Sequence, residues 1–268
     1  MTMDKGKAFR ALHDSTFVIP NPWDIGTAKL LASAGFKALA TTSAGYAFSR
    51  GLQDGAVGFE EMIQHCKELA HATDLPVSAD LEKGKGDTPE SAAETIFAAE
   101  AAGLAGCSIE DFSGDEANAI YDFEHAVERV RAAAQAARSL KRDFVFTARA
   151  ENFLHGRNDL DDTIKRLQAF EKAGADVVYA PGLGDVETVR KVASSVKVPI
   201  NVLVVPGFTV ESLRAAGAKR LSLGSKLTTY AFGMLETASR EMLQDGTFGF
   251  TRAGMPFAKA QQLFAPKA

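Results

Sequence analysis

Two periods alternate along the chain. Short apolar runs, bounded by glycine, threonine or acidic residues, give way to longer segments in which apolar residues recur three and four positions apart. The first pattern predicts buried strands and the second amphipathic helices. Strands are predicted near residues 17–20, 36–41, 76–80, 105–109, 143–148, 175–180, 198–203 and 219–223, each followed by a helical segment. A recurring phrase marks the passage from helix to strand: SAGFKALATTSAG, EAAGLAGCSIED, EKAGADVVYAPG and RAAGAKRLSLG each run through glycine into an apolar run and then a polar loop. Helix boundaries carry their own signals. Asn21 and Pro22 are expected to cap and start the helix after the first strand, with Gly35 closing it; Thr88 and Pro89 open a later helix that Gly103 ends. The stretch SAGYAFSRGLQDG reads as a loop.

Eight strand and helix pairs in 268 residues favour a closed (β/α)8 TIM barrel, expected as one domain over residues 1–246. An open, doubly wound sheet would ask for a dinucleotide fingerprint after the first strand. None is present, since Gly84 and Gly86 lack a third glycine. Residues 247–268 form an apolar C-terminal extension, expected to pack on the barrel wall or on a neighbouring subunit. The balance of 30 basic against 34 acidic residues leaves no basic footprint for nucleic acid. Two cysteines, Cys66 and Cys107, form no C-x-x-C pattern, so neither a disulfide framework nor a zinc site is expected. The first twenty residues lack an apolar signal core, and no apolar run is long enough to cross a bilayer. A cytoplasmic location with no membrane partner is expected.

Chemistry in such a barrel gathers at the C-terminal strand ends. The stretch VSADLEKGKG places Asp80 and Glu82 two positions apart, hence on one face of an extended strand, about 7 Å apart. Two hard oxygen donors beside a glycine loop suit magnesium; the same pair would serve as solvated acids at a strand terminus. Other strand ends offer Thr42, Ser43, Ala44, Gly45 and Asp54, then Glu110 and Asp111, then Arg149 and Glu151, and Asn201. One arginine against at least four carboxylates is an unbalanced set unless a cation compensates. Arg149 is then expected to clasp an anionic substrate at two points.

In order, SAGYAFSRGLQDG, VSADLEKGKG, SIED, TARAENF and KAGADVVYAPG resemble the isocitrate lyase/phosphoenolpyruvate mutase superfamily over nearly the whole chain. The resemblance implies a magnesium ion and a 2-oxo acid or its enolate at the barrel mouth. By position, Ser43 and Gly45 would present donors to the substrate carboxylate, Asp80 would contact the metal, and Glu82 and Glu110 would hold its waters. Arg149 would bind the oxyanion or carboxylate, and Asp54 matches an acid on a mobile loop. The resemblance also implies a homotetramer that exchanges its eighth helix between subunits, a role suited to LTTYAFGMLETASREML. Two departures stand out. Members that cleave isocitrate or methylisocitrate carry a K-[KR]-C-G-H loop, whereas EDFSGDEANAIYDFEHA has no Cys or Lys and no basic residue before His125. Phosphonomutases use a lysine and an asparagine there, and only Asn118 has a counterpart. The second departure is Glu82, where many members carry Asp.

The expected activity is a magnesium-dependent lyase acting on a small 2-oxo or 2-hydroxy diacid, oxaloacetate-like, through a pyruvate-type enolate by carbon-carbon cleavage or decarboxylation. A phosphoenolpyruvate or phosphonate mutase, a class II-type aldolase and a 2-oxo acid binding protein without turnover stand as alternatives. Cys66 and Cys107 are expected as buried structural residues and Trp23 as a packing anchor; Asp111 serves either as a supporting partner or as a ligand, and His155 either orders its neighbours or approaches the pocket. Asn201 serves either substrate or a barrel neighbour, and Tyr46 either lines the pocket or packs under the loop.

Overall fold

The computed structural model of the chain describes residues 4–265. All eight expected strands form: β1 Phe17–Ile19, β2 Leu39–Ala40, β3 Val77–Asp80, β4 Gly106–Glu110, β5 Val145–Arg149, β6 Val177–Tyr179, β7 Ile200–Leu203 and β8 Arg220–Ser222. They pair in parallel in chain order, with β1 against β8. Between β1 and β2 the Ala40 N–H donates to the Pro20 carbonyl at 3.0 Å, which brings the two ends of the sheet together. The result is a nearly closed TIM barrel. Several strands are shorter than the apolar runs that predict them, because the runs continue into the turns on either side.

Helices follow in alternation: α1 Lys5–Leu12, α2 Ile25–Ser33, α3 Ser43–Ser49, α4 Phe59–Ala72, α5 Pro89–Ala101, α6 Phe123–Ser139, α7 Leu160–Ala173, α8 Val186–Ser195, α9 Val210–Ala215, α10 Lys226–Arg240 and α11 Phe257–Phe264. Side-chain caps start many of them. Thr88 accepts from the Ser91 N–H, Asp159 from Asp162, Asp185 from Thr188 and Thr209 from Ser212, each satisfying an orphan donor of the first turn. The start of α2 differs from expectation. Its cap is Asp24, in a reciprocal capping box with Thr27, while Asn21 is buried and bridges the Thr41 carbonyl and the Leu223 N–H. The segment expected as a loop after β2 begins with a helix, α3, capped by Thr42.

Two apolar clusters fill the barrel. The larger lies between the strands and the surrounding helices, where buried alanines such as Ala92 and Ala99 on α5 and Ala126 and Ala133 on α6 permit close helix packing. The smaller plugs the N-terminal end of the barrel, with Phe9 of α1 against Ile19, Ala38, Ala105, Val145 and Val177. At the other end of the chain, the ring of Phe264 on α11 lies beside Gly26 on α2, so part of the C-terminal extension rests on the barrel wall. No helix among the described residues is long and apolar enough to cross a membrane.

Two histidines are built into these cores in the neutral form. His13 closes α1 between Phe9 and Phe17, and His65 on α4 stacks on Tyr46 with ring centres 3.7 Å apart. In both, Nε2 is buried without a partner, and burial pushes the ring pKa down, to about 3 for His13 and about 4 for His65. An unfolded histidine titrates near 6.5, so the unfolded chain takes up these protons first. Stability from this source is complete above pH 6.5 and declines as pH falls towards 4. His65→Phe, which keeps a ring against Tyr46, is expected to reduce the pH dependence of unfolding free energy in that window by about 1.4 kcal/mol per pH unit. Urea unfolding at pH 7, 6, 5 and 4 measures it, and parallel curves for the two proteins would contradict it.

Candidate active site

Register sets the site. Glu110, the last residue of β4, lies opposite Arg149, the last residue of β5, and Asp80 ends the neighbouring β3. Three carboxylates reach one guanidinium. Arg149 Nη1 lies 3.1 Å from Asp80 Oδ1 and 3.1 Å from Glu110 Oε2, and Nε donates to Glu151 Oε1. Glu110 and Glu151 are buried, and the Arg149 side chain is 15% exposed. The Arg149 fork is thus already engaged by acids, and the expected two-point clasp of a substrate is not preassembled; Nη2 is left for an incoming oxygen. Asp80 is held from the other side, where its Oδ2 accepts the Ser43 N–H at 3.2 Å and the Ser43 hydroxyl at 2.9 Å. Ser43 is the first residue of α3, so a helix N-terminus faces Asp80.

The loop after β3 brings in Glu82 with a left-handed backbone, φ 50°, the one positive φ outside glycine among the described residues. Arg129 of α6 fixes this loop by donating to the Lys83, Gly86 and Thr88 carbonyls, and the Lys85 N–H donates to Thr95. A side chain at Gly84 would collide with Thr95, its Cβ falling 2.5 Å from Thr95 Oγ1. Burial, with Asp80 and Asp54 adding, pushes the Glu82 carboxyl up to about 7. Asp54 is exposed on the loop between α3 and α4, yet burial of its carboxyl and the charge of Asp80 raise its pKa too. Burial also lifts Glu110 well above the usual carboxylate range, against the pull of Arg149.

Two compartments open from this cluster. An inner one of about 170 Å³ is lined by Ser43, Asp54, Asp80, Arg149, Tyr179, Asn201 and Arg220 among others. An outer one of about 580 Å³ is lined by Glu82, Lys83, Glu110, Phe112, Glu151 and His155 among others. Lys83 does not balance the acids, because its ammonium is held by Asp87 and the Ser113 carbonyl, each at 2.7 Å. Five acids, Asp54, Asp80, Glu82, Glu110 and Glu151, therefore meet one guanidinium that faces them. No three His, Cys, Asp or Glu side chains among the described residues are placed to ligate an ion directly together. The donor chemistry nevertheless fits magnesium, which keeps several of its waters and needs only one or two protein carboxylates. Asp80 would supply the direct contact, with Glu82 and Glu110 acting through water.

Several expected residues are placed differently. Gly45 does not line either compartment: its N–H donates to the Thr42 cap, and a Cβ there would lie 2.5 Å from Thr228 Oγ1 of α10. Its role is the close approach of α3 to α10. Asn201 lines the inner compartment, but Arg220 takes its Oδ1 and one amide hydrogen goes to Ser222. Asn118 donates to Asp115 in a short hairpin turn and lines neither compartment. Asp111 supports the strand ends: one oxygen accepts the Glu151 N–H at 2.8 Å and the other meets Arg166 of α7 at 3.0 Å. His155 stacks on Phe112 and lies 3.7 Å from Glu151, ordering the outer wall. Both cysteines are buried and burial raises their thiols, so neither offers a thiolate.

Three wall residues were not singled out from the sequence. Glu151 stood among the strand-end acids without a role; Tyr179 and Arg220 sit in apolar strand runs where their facing is not evident. The signal for Arg220 was a charge at an inward position of a strand otherwise reading as core.

Comparison with known proteins accords with this geometry. The phosphoenolpyruvate phosphomutase family matches residues 9–243. The 2-methylisocitrate lyase of Escherichia coli K12 is 30% identical over 226 residues, 79% of this chain and 75% of that protein. Among solved structures, a candidate lyase/mutase from Burkholderia cenocepacia J2315 is 50% identical with a TM-score of 0.95, covering 98% of this chain and 96% of that one. Oxaloacetate acetylhydrolase in complex with the product oxalate is 25% identical with a TM-score of 0.87, covering 97% of this chain and 93% of that one. On the match over residues 9–243, and with acids and an arginine meeting at the strand ends as described, the chain belongs to the phosphoenolpyruvate phosphomutase family, within the isocitrate lyase/phosphoenolpyruvate mutase superfamily.

Proposed function

We propose that this protein is a magnesium-dependent lyase acting on a small 2-oxo or 2-hydroxy diacid, oxaloacetate-like, by carbon-carbon cleavage or decarboxylation. The observation that carries the reading is the convergence of three carboxylates, Asp80, Glu110 and Glu151, on Arg149 beside a small inner cavity, with Asp54 and Glu82 lining the adjoining space. Magnesium, when bound at Asp80, supplies a Lewis acid for the oxygens of the 2-oxo acid. Ser43 and the N-terminus of α3 orient Asp80, and Arg149 would stabilise the negative charge that grows as the bond beta to the carbonyl breaks. Asp54 lines both compartments and would exchange a proton at the substrate carbon.

The absence of a thiolate and of a basic residue in the 112–121 hairpin favours a bond that breaks without a general acid on the leaving group, as in decarboxylation. A phosphonate dianion would find Lys83 committed to Asp87 and Arg149 already paired with three acids, which weighs against mutase chemistry. The oxaloacetate acetylhydrolase among the similar structures supports a short diacid substrate.

We also propose that the chain works in the cytoplasm as a homo-oligomer, a tetramer in which α10 and the C-terminal extension are covered by another copy. Tyr230 and Leu235 on α10 are 68% and 65% exposed, and Leu243 and Phe257 beyond it 86% and 78%. So much apolar surface in one region marks an association face.

Two outcomes are expected. Purified protein with magnesium should release pyruvate from at least one of a panel of 2-oxo and 2-hydroxy diacids, followed through lactate dehydrogenase, and EDTA or Asp80→Ala should lower the rate by roughly 100-fold or more. Release that persists at full rate in EDTA would overturn the metal. Light scattering should give a mass near four chains, and Leu235→Glu with Phe257→Glu should reduce it; a monomeric wild type would remove the oligomer.

A further inference from the structure

Arg220 stands at the floor of the inner compartment, on β8, in register with Asn201 on β7 and Phe17 on β1. It is 4% exposed. Nε donates to Asn201 Oδ1 at 2.9 Å and Nη2 to Thr147 Oγ1 at 3.0 Å, while Nη1 is buried with no partner. No carboxylate lies within 4.0 Å of it among the described residues. The other buried arginines are provided for: Arg149 by three carboxylates, Arg166 by Asp111 and Asp162, and Arg129 by three carbonyls. Arg220 alone of these, among the described residues, keeps a buried guanidinium nitrogen without a partner. Burial, with the Arg220 charge adding, holds the nearby His13 ring neutral, and it offers Arg220 no counter-charge.

An unpaired buried charge costs several kcal/mol. A cross-link between β5, β7 and β8 does not require one, because a glutamine or serine could bond Asn201 and Thr147 without leaving a donor idle. The unused donor instead belongs to a residue that lines a cavity, and that cavity has acids at its rim. A carboxylate approaching the rim is repelled except where a cation meets it. A molecule with two carboxylates needs two such places, and the compartment has one at the level of Arg149 and another at the level of Arg220. Tyr179 stands between them, its ring centre 5.3 Å from the Arg149 guanidinium carbon, and lines the same wall. Asn201 adds a second amide hydrogen at the floor, since only one is used by Ser222.

We propose that Arg220, helped by the Asn201 amide, is an anion subsite that receives the second carboxylate of a short dicarboxylate whose 2-oxo or 2-hydroxy end lies among Ser43, Asp80 and Arg149. The assignment rests on the diacid reading above and deepens it by naming the residues that receive the second carboxylate.

Malate and lactate separate the two ideas, because they share the 2-hydroxy acid end and differ by the second carboxylate. Calorimetry with magnesium present should show wild-type protein binding malate about 10- to 100-fold more tightly than lactate, the range of one or two charge-assisted hydrogen bonds. Arg220→Gln should erase that preference while leaving lactate affinity within about twofold, and Arg220→Lys, which keeps the charge, should retain part of it. Thermal melting of each variant establishes that it is folded. Equal affinity of the wild type for malate and lactate would overturn the floor subsite and leave the lyase reading standing. An equal loss for both ligands in Arg220→Gln would make Arg220 a strand cross-link only. Failure of the wild type to bind either ligand would overturn both.

Discussion

A single guanidinium holds apart, and together, three carboxylates that three adjacent turns deliver to the same place. Asp80, Glu110 and Glu151 could not be buried at such proximity as bare anions, and Arg149 compensates no more than part of their charge. Arg149 also needs its fork, since Nη1 and Nε reach different acids; a lysine would bring a point charge to only one of them. What remains is a surplus of negative charge at the strand ends, expressed as carboxyls lifted by burial and by one another. Such a rim is preorganised for a hard cation before any ligand arrives, and it is hostile to an anion that comes without one.

The rim keeps its shape because the layer behind it is also charged and fully bonded. Asp111 joins the Glu151 backbone to Arg166 on α7, and Arg166 continues to Asp162. Arg129 on α6 gathers three carbonyls of the loop that carries Glu82. Each arm springs from a helix interior, so the catalytic loops are tethered to rigid elements and not to one another. The hairpin from Phe112 to Ile120 is joined by a short antiparallel bridge and meets the outer compartment through Phe112, Gly114 and Glu116, with Phe112 stacked on His155.

Much of the architecture is carried by local pattern. Alternation between apolar runs and helical spacing marks all eight strands, because a βα unit must bury each strand on both faces and each helix on one. The misreadings have physical causes. Ser43 to Ser49 reads as a loop because serine and glycine are poor helix formers, yet the Thr42 cap and the fit of Gly45 against Thr228 stabilise a helix there. Asn21 resembles a cap, but Asp24 with Thr27 forms a better one and frees Asn21 to bridge strand ends. At the site, the acids and Arg149 were legible as strand-end residues. Tyr179 and Arg220 were not, because which strand positions face the lumen, and at what depth, follows from closure and stagger of the whole barrel.

Glu82 sits in a conformation that costs a side-chain-bearing residue about 1–2 kcal/mol relative to glycine. Glycine or asparagine would relax the turn, yet either would remove an acid from the rim. Random drift that rewarded durability alone would therefore erode this position first. Its persistence in a lineage would be a record of selection on chemistry, legible in the backbone angle even where neighbouring residues have changed.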